Sequence, residues 1–97
     1  MSQISVSLHQ NIAVLQGELT RHTLTKISKK TVKSMLATSN VLIDLQQVNK
    51  VDTAGLAWLF YLLEQAQSAQ CQLRFANLPS KLENLITLSG VNGFLPN

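Results

Sequence analysis

The residues in this chain that could do chemistry are few, and their spacing matches no familiar catalytic or metal site. Cys71, His9 and His22 are too scattered to resemble the ligand clusters of zinc sites. The four glycines are far apart, so they build no glycine-rich phosphate loop. Serine, histidine and aspartate occur, but not at the spacing of a hydrolytic triad. The sequence therefore predicts no catalytic residue, no cofactor and no metal, and it favours a binding protein over an enzyme.

The junction at Asp52 and Thr53 is the most informative stretch of the chain. The apolar run Val41–Leu45 predicts a buried strand, followed by a polar connection over Gln46–Asn49. From Ala54 onward the apolar spacing becomes that of a helix running to about residue 69. At such a junction a side-chain oxygen can accept backbone N–H groups, and the helix dipole favours a negative charge. The buried stripe of this predicted helix consists of Leu56, Leu59, Phe60 and Leu63.

The other elements must position this junction. Ile4–Leu8 and Ile12–Leu15 predict an N-terminal hairpin, Thr23–Leu36 an amphipathic helix, Gln72–Ala76 a fourth strand, and residues 80–90 a short last helix. The order β-β-α-β-α-β-α predicts an α/β fold in which residues 1–97 form a single domain. Its mixed β-sheet begins with the hairpin, its parallel strands are joined by helical crossovers, and its helices pack mainly on one face.

The predicted second helix carries unusual residues on the side away from its buried stripe. That side should be wet, yet it holds Trp58 and Tyr61 and no lysine or arginine. Aromatic residues of this kind are enriched at binding hot spots. They either lie under a neighbouring helix of the same domain or form a docking surface continuous with Thr53, and we favour the second interpretation. The predicted docking surface consists of Asp52, Thr53, Ala54, Ala57, Trp58, Tyr61 and Gln65.

The composition indicates that the protein binds a partner and works in a reducing compartment. Only 13% of the residues are charged, which suggests that part of the surface is covered by a partner. A single cysteine fits a reducing compartment, no signal peptide is apparent, and no apolar stretch is long enough to cross a bilayer. The basic side of the predicted first helix is either simply solvated or contacts phosphate, and an anionic membrane surface fits better than nucleic acid. This side consists of Lys26, Lys29, Lys30 and Lys33.

The junction also resembles the hallmark of a known family. Ile43-Asp44-Leu45, followed by Val51-Asp52-Thr53-Ala54-Gly55-Leu56, is similar to the core motif of STAS domains, which occur in anti-sigma-factor antagonists and anion transporters. Gly17-Glu18-Leu19 and Leu88-Ser89-Gly90-Val91 resemble weaker family motifs, so the likeness covers nearly the whole chain. The short bare domain, the threonine at the junction and the aromatic residues after it are most similar to STAS domains that serve phospholipid transporters.

The resemblance implies a function and a site. It implies a non-enzymatic cytoplasmic accessory subunit, peripheral to the inner membrane, that binds and stabilises or activates the ATPase subunit of an ABC transporter. Such a complex also contains a permease and moves phospholipids between the inner and outer membranes to maintain outer-membrane lipid asymmetry. Within this family, Thr53 falls on the residue important for contact with the ATPase, and Asp52 on the acidic residue before it. The resemblance implies no cofactor, no nucleic acid and no insertion into the membrane.

The same resemblance implies an alternative. In anti-sigma-factor antagonists the position of Thr53 is a phosphorylatable serine, so Thr53 would be the phosphoacceptor and a kinase-type anti-sigma factor the partner. Two departures from that pattern, Gln46 in place of a small hydroxyl residue and Thr53 in place of serine, favour the transporter interpretation.

Overall fold

The chain folds into a four-stranded sheet with helices inserted between and after its strands. The computed structural model describes the backbone of residues 3–89 and the side chains of residues 3–84. A 3-10 turn at Leu24–Lys26 precedes the first helix. The elements are β1 (Ile4–His9), β2 (Ile12–Leu19), α1 (Lys29–Met35), β3 (Asn40–Val51), α2 (Thr53–Ser68), β4 (Gln72–Ala76) and α3 (Ser80–Ser89).

The sheet has the mixed topology that the element order predicts. Its strand order is β1-β2-β3-β4. The β1 and β2 strands form an antiparallel hairpin, whereas β2 pairs with β3, and β3 with β4, in parallel. A parallel neighbour requires a crossover, and the segments containing α1 and α2 provide the two crossovers. The predicted α/β fold class, with an N-terminal hairpin and a mixed sheet, is confirmed.

One face of the sheet is covered and the other is open. Along β3, Val41, Ile43 and Leu45 are buried, whereas Leu42 and Asp44 between them are half-buried. Since successive strand residues point to opposite faces, this alternation means that the helices cover one face only. The covered face and the helices enclose a cluster of buried apolar side chains that come from β2, β3 and β4 and from all three helices, with Leu82 contributed by α3.

The third strand is longer than predicted, because the polar segment Gln46–Asn49 is not a connection. It continues β3 to Val51, past two register shifts relative to β2. At the first shift Asp44 Oδ1 accepts a hydrogen bond of 3.0 Å from the Gln46 N–H, and another of 3.0 Å from Asn77 Nδ2. Asp44 therefore lies within the strand and ties β3 to the end of β4, rather than standing at a strand end. Polar residues misled the prediction because one face of β3 is open to solvent.

The first helix is shorter than predicted. The expected helix Thr23–Leu36 is interrupted at Ile27, which has extended backbone angles, and at Ser28, which caps α1. The Ser28 hydroxyl accepts a hydrogen bond of 3.1 Å from the Thr31 N–H. A serine side chain that satisfies a first-turn N–H favours a helix start over a helix interior. Periodicity alone did not reveal this start, because apolar residues on both sides of it face the same core.

The buried stripe of α2 also differs from the prediction. Leu56 and Leu59 are buried as expected, but Phe60 and Leu63 are only half-buried, and Leu62 is fully buried instead. The stripe is thus rotated about the helix axis toward Leu62 and Ala66. This rotation matters because it moves Trp58 toward the core.

Two smaller features complete the fold. Cys71 is buried among apolar side chains, and burial raises the pKa of its thiol. Among the described residues, no helix is long and apolar enough to cross a membrane. The end of the family-like motif, Gly90-Val91, lies outside the described residues.

Candidate docking surface at the start of α2

Asp52 is the residue that begins α2. Its Oδ1 accepts a hydrogen bond of 2.9 Å from the Gly55 N–H, so it is the N-cap of the helix. Its Oδ2 accepts a bond of 3.1 Å from the Arg21 N–H. Partial burial alone would raise the pKa of Asp52. Hydrogen bonds from the backbone N–H groups of Gly55, Arg21 and Ala54, together with the Arg21 charge, outweigh burial and hold that pKa below its ordinary value.

The second of these bonds joins α2 to the turn that follows β2. This turn is built around Thr20 and Thr23, whose side chains are fully buried. Thr23 Oγ1 donates to the Glu18 carbonyl at 2.7 Å and accepts from the Thr20 N–H at 3.1 Å. The turn holds Arg21 beside the start of α2, although 31 residues separate Arg21 from Asp52. Sequence reasoning missed Arg21 as a neighbour of the site, since only the tertiary structure brings it there.

Gly55 allows α2 to begin this close to β2. A Cβ at Gly55 would overlap the carbonyl oxygen of Leu19 and come within 2.9 Å of Val51 Cγ2. The Asp52 N–H donates to the same Leu19 carbonyl at 3.4 Å. The first turn of α2 is therefore pressed against the end of β2, and only glycine fits at this contact. The Asp-Thr-x-Gly junction is thus a rigid structural unit.

Thr53 stands at the exposed edge of this unit. It is the first residue of α2, and its side chain is exposed. Of the two residues at the junction, Asp52 rather than Thr53 supplies the side-chain oxygen that caps the helix. Ala57 and Tyr61 follow at intervals of four residues and are also exposed, with Tyr61 37% accessible. Residues at this spacing lie above one another on one side of a helix, so the three form a continuous exposed row.

The other members of the predicted docking surface flank this row. Asp52, Ala54 and Gln65 are half-buried. Trp58 is half-buried as well, and it packs against the hydrophobic core. Tyr61 lies on the exposed side of α2, whereas Trp58 lies at the border between surface and core, and the docking role of both residues stays a prediction. The seven predicted residues thus lie along one side of α2, from its N-cap Asp52 to Gln65 near its last turn.

The helix that carries this surface has little charge. Among the 16 residues of α2 the single charged one is Glu64, and interface centres are depleted of charge in this way. Within residues 3–89 no group of three or more histidine, cysteine, aspartate or glutamate residues could hold a metal ion. The basic residues Lys29, Lys30 and Lys33 are exposed on α1, a separate element from this surface.

The family model described as "Mlab, STAS domain" matches residues 3–96 of the chain. The chain belongs to the STAS domain family. STAS domains are in general regulatory proteins without catalytic activity, and they act through contacts with partner proteins. Among curated proteins there is no significant match to this chain.

Solved structures share the STAS fold with this chain at low sequence identity. An anti-sigma-factor antagonist from Mycobacterium paratuberculosis aligns with a TM-score of 0.72 and 20% identity, over 96% of this chain and 81% of that chain. The phosphorylated cell-fate determinant SpoIIAA of Bacillus aligns with a TM-score of 0.66 and 12% identity, over 95% and 87%. The anti-sigma-factor antagonist SpoIIAA in its unphosphorylated form gives 0.63 and 11%, over 88% and 82%. At these identities the likeness demonstrates the fold.

Proposed function

We propose that this STAS domain docks a partner protein through the start of α2. The observation that carries the proposal is the exposed row of Thr53, Ala57 and Tyr61 on a rigidly capped and almost uncharged helix. Exposed small residues let a partner approach the helix closely, and a tyrosine beside them supplies a large contact at a low cost in side-chain entropy. The Asp52 cap and the close packing at Gly55 fix this row before the partner arrives, which reduces the ordering cost of binding.

The proposed partner is the ATPase subunit of an ABC transporter that moves phospholipids. Support comes from the family model, whose description carries the name Mlab, and from the threonine followed by aromatic residues at the docking surface. The domain would be cytoplasmic and peripheral to the inner membrane through its complex with the ATPase and the permease. It would activate or stabilise the ATPase by binding one of its conformations more tightly than the others, since only differential affinity shifts such an equilibrium.

A second candidate function is that of an anti-sigma-factor antagonist switched by phosphorylation of Thr53. It is favoured by the fold likeness to antagonists of this kind and by the exposed hydroxyl at the start of α2. A phosphate at Thr53 would add about −1.5 to −2 charges. It would stand beside the Asp52 carboxylate, which its hydrogen bonds keep ionised. Phosphorylation would therefore weaken docking of an apolar partner at this surface.

The central experiment replaces Thr53 by arginine and measures copurification with the ATPase and permease expressed from the same cells. The long charged side chain would stand within the contact, so Thr53→Arg should lose the ATPase while the free domain melts like wild type. Gln67→Arg is the matched control, because Gln67 is exposed on the same helix but outside the predicted docking surface. Thr53→Arg that retains the ATPase at wild-type yield would refute the docking surface.

Partner identity separates the two candidate functions. Affinity capture from cytosolic and membrane fractions should recover an ABC ATPase with its permease from the membrane fraction. Recovery of a kinase-type anti-sigma factor from the cytosol, with ATP-dependent phosphate on Thr53 by mass spectrometry, would establish the second function instead. Loss of that capture in Thr53→Arg would still support the same docking surface.

A further inference from the structure

Among residues 3–89, the strand β1 is an outer edge of the sheet, and its own sequence does not block pairing. It lies at the end of the strand order, and β2 is its strand neighbour among the described residues. Its sequence, ISVSLH, contains no lysine and no proline, two residues that commonly block edge strands. All of its side chains are exposed or half-buried, and Leu8 is 43% accessible. This edge can accept another strand.

The pairing with β2 determines which backbone groups of β1 are free. A two-residue loop joins the strands, and His9 is paired with Ile12 across it. In an antiparallel hairpin of this length, His9 and every second residue before it direct their N–H and C=O groups toward the partner strand. The Gln3 carbonyl, which accepts from the Glu18 N–H at 2.8 Å, fits this alternation. The N–H and C=O groups of Ile4, Val6 and Leu8 therefore point away from the sheet.

The same three residues are apolar and share one face. Val6 is paired with Leu15 and Leu8 with Ala13, which are both on the buried face of β2. Ser5 and Ser7 lie on the open face, where they are exposed. The segment Ile4–Leu8 is thus symmetric about Val6: apolar, polar, apolar, polar, apolar. Reversing its direction leaves the pattern unchanged.

Because of this symmetry, β1 is complementary to a second copy of itself. We propose that β1 pairs in antiparallel orientation with β1 of a second copy of the chain. With Val6 opposite Val6 of the second copy, Ile4 lies opposite Leu8 and Leu8 opposite Ile4. Every backbone group that points outward then meets a complementary group, and the apolar side chains of both strands lie on the same face. A shift by one residue would place outward groups against inward ones and serine against apolar side chains. A shift by two residues would keep both matches but would leave Ile4 or Leu8 without a partner in β1.

The product is a continuous eight-stranded sheet in which each predicted docking surface remains accessible. In the strand order β2 lies between β1 and β3, and α2 follows β3 and contacts β3 and β4. The body of α2 therefore lies away from the dimer edge, and its first turn, which carries Thr53, packs at the end of β2, one strand from β1. Because a single edge strand contributes a small contact area, the dimer should be weak and reversible.

The serines that face each other across the dimer axis provide a test of both the surface and the register. In the proposed pairing Ser5 lies opposite Ser7 of the second copy. Ser5→Lys/Ser7→Lys would place like charges opposite each other twice, whereas Ser5→Lys/Ser7→Glu would place opposite charges there twice. Within one chain the partners of these serines on β2 are Gln16 and Val14, so neither variant meets a charge on its own sheet.

Analytical ultracentrifugation of the full chain from about 10 µM to about 1 mM covers the range expected for a contact of this size. The average mass of the wild type should rise from that of one chain toward that of two. The Lys/Lys variant should dimerise about fivefold to tenfold more weakly, and the Lys/Glu variant should match or exceed the wild type. Gln67→Lys/Ser68→Lys, which carries the same added charge on exposed positions of α2, should dimerise as the wild type does. Thermal melting should show all variants folded.

Three results would overturn the proposal. A wild type that keeps the mass of one chain up to about 1 mM would exclude the dimer. Equal weakening of the Lys/Lys and Lys/Glu variants would exclude the register, because it would mean that Ser5 meets Ser5 or that Ser7 meets Ser7. A dimer unaffected by either variant would lie on another surface.

Discussion

At the scale of single residues, Asp52 connects the sequence motif to the geometry of the site. One carboxylate closes the first turn of α2 through Gly55 and holds the turn after β2 through the Arg21 N–H. A neutral side chain could retain part of this hydrogen bonding, but it would lose the favourable interaction of a negative charge with the helix start. Asp52 is therefore a positioning residue for Thr53, which is next in the chain.

Replacing Asp52 should reveal both contributions. Asp52→Ala should lower the free energy of unfolding by about 0.5–2 kcal/mol, since it removes the cap, and Asp52→Asn should cost less. Because folding lowers the pKa of Asp52, its charge stabilises the fold fully above the ordinary pKa of 3.8. That stabilisation is lost as the pH falls below 3.8 and through the folded-state pKa.

Urea unfolding at a series of pH values tests this prediction. The difference in unfolding free energy between wild type and Asp52→Asn should be constant near neutral pH and shrink below pH 3.8. A difference that stays constant down to acid unfolding would show that the charge of Asp52 contributes nothing to stability.

Gly55 gives the second prediction at this scale. Gly55→Ala should cost about 1–3 kcal/mol or more, although alanine is the better helix former, because its Cβ would overlap the Leu19 carbonyl. Ala57→Gly is a suitable control, since Ala57 is exposed on the same helix and should lose only about 1 kcal/mol of helix propensity. Thermal melting that ranks Ala57→Gly as the more damaging change would mean that α2 can move away from β2.

At the scale of elements, α2 combines a core-facing stripe with a docking side, and its two aromatic residues report on different sides. Trp58→Ala should lower stability by about 2–4 kcal/mol, somewhat less than full burial would imply, because Trp58 is half-buried against the core. Tyr61→Ala should leave melting within about 0.5 kcal/mol of wild type. It should weaken partner binding by about thirtyfold or more if Tyr61 is a hot spot of the interface.

Thermal melting of the free domain and titration against the partner separate these effects. Trp58→Ala should lower the melting temperature more than Tyr61→Ala does, and Tyr61→Ala should lower the affinity for the partner more than Trp58→Ala does. A Tyr61→Ala domain that melts early but binds normally when folded would place Tyr61 in the core.

The lysine residues on and before α1 are not part of the proposed docking surface, and we expect them to contact an anionic membrane instead. A variant with Lys26, Lys29, Lys30 and Lys33 changed to glutamine should fold and bind the proposed ATPase as the wild type does. Binding of the free domain to anionic phosphatidylglycerol vesicles should fall, and the wild-type binding should decrease with added salt because surface charges are screened. Loss of ATPase binding at every salt concentration would instead place the docking surface on α1.

At the scale of the whole molecule, the sheet separates two contact surfaces. The start of α2 packs against the end of β2, whereas β1 is the outer edge of the sheet one strand further on. The docking row of α2 and the proposed dimer edge are thus different surfaces, one on a helix and one on a strand edge. The open face of the sheet between them explains why polar residues occur within β3 and why the sequence alone placed its end too early.

Features that depend on residues close together in the chain could be predicted from the sequence. Alternation and helical spacing specified the type of every strand and helix, and the order of elements specified the mixed sheet. The helix cap at Asp52 could also be predicted, because capping joins near neighbours: the Asp52 side chain accepts from the N–H of Gly55, three residues later. The family resemblance depended on the same short motif.

Features that depend on contacts between residues far apart in the chain could be seen in the tertiary structure alone. Arg21 reaches Asp52 because β2 and β3 are parallel neighbours, so the residues that follow these two strands lie side by side. Thr20 and Thr23 are buried in a turn at this place, where the sequence predicted that a helix begins at Thr23. The rotation of α2 that buries Leu62 and draws Trp58 toward the core is fixed by packing against the sheet. Helical periodicity gives the width of an apolar stripe but not its centre, since half-buried residues at its borders satisfy the pattern equally well.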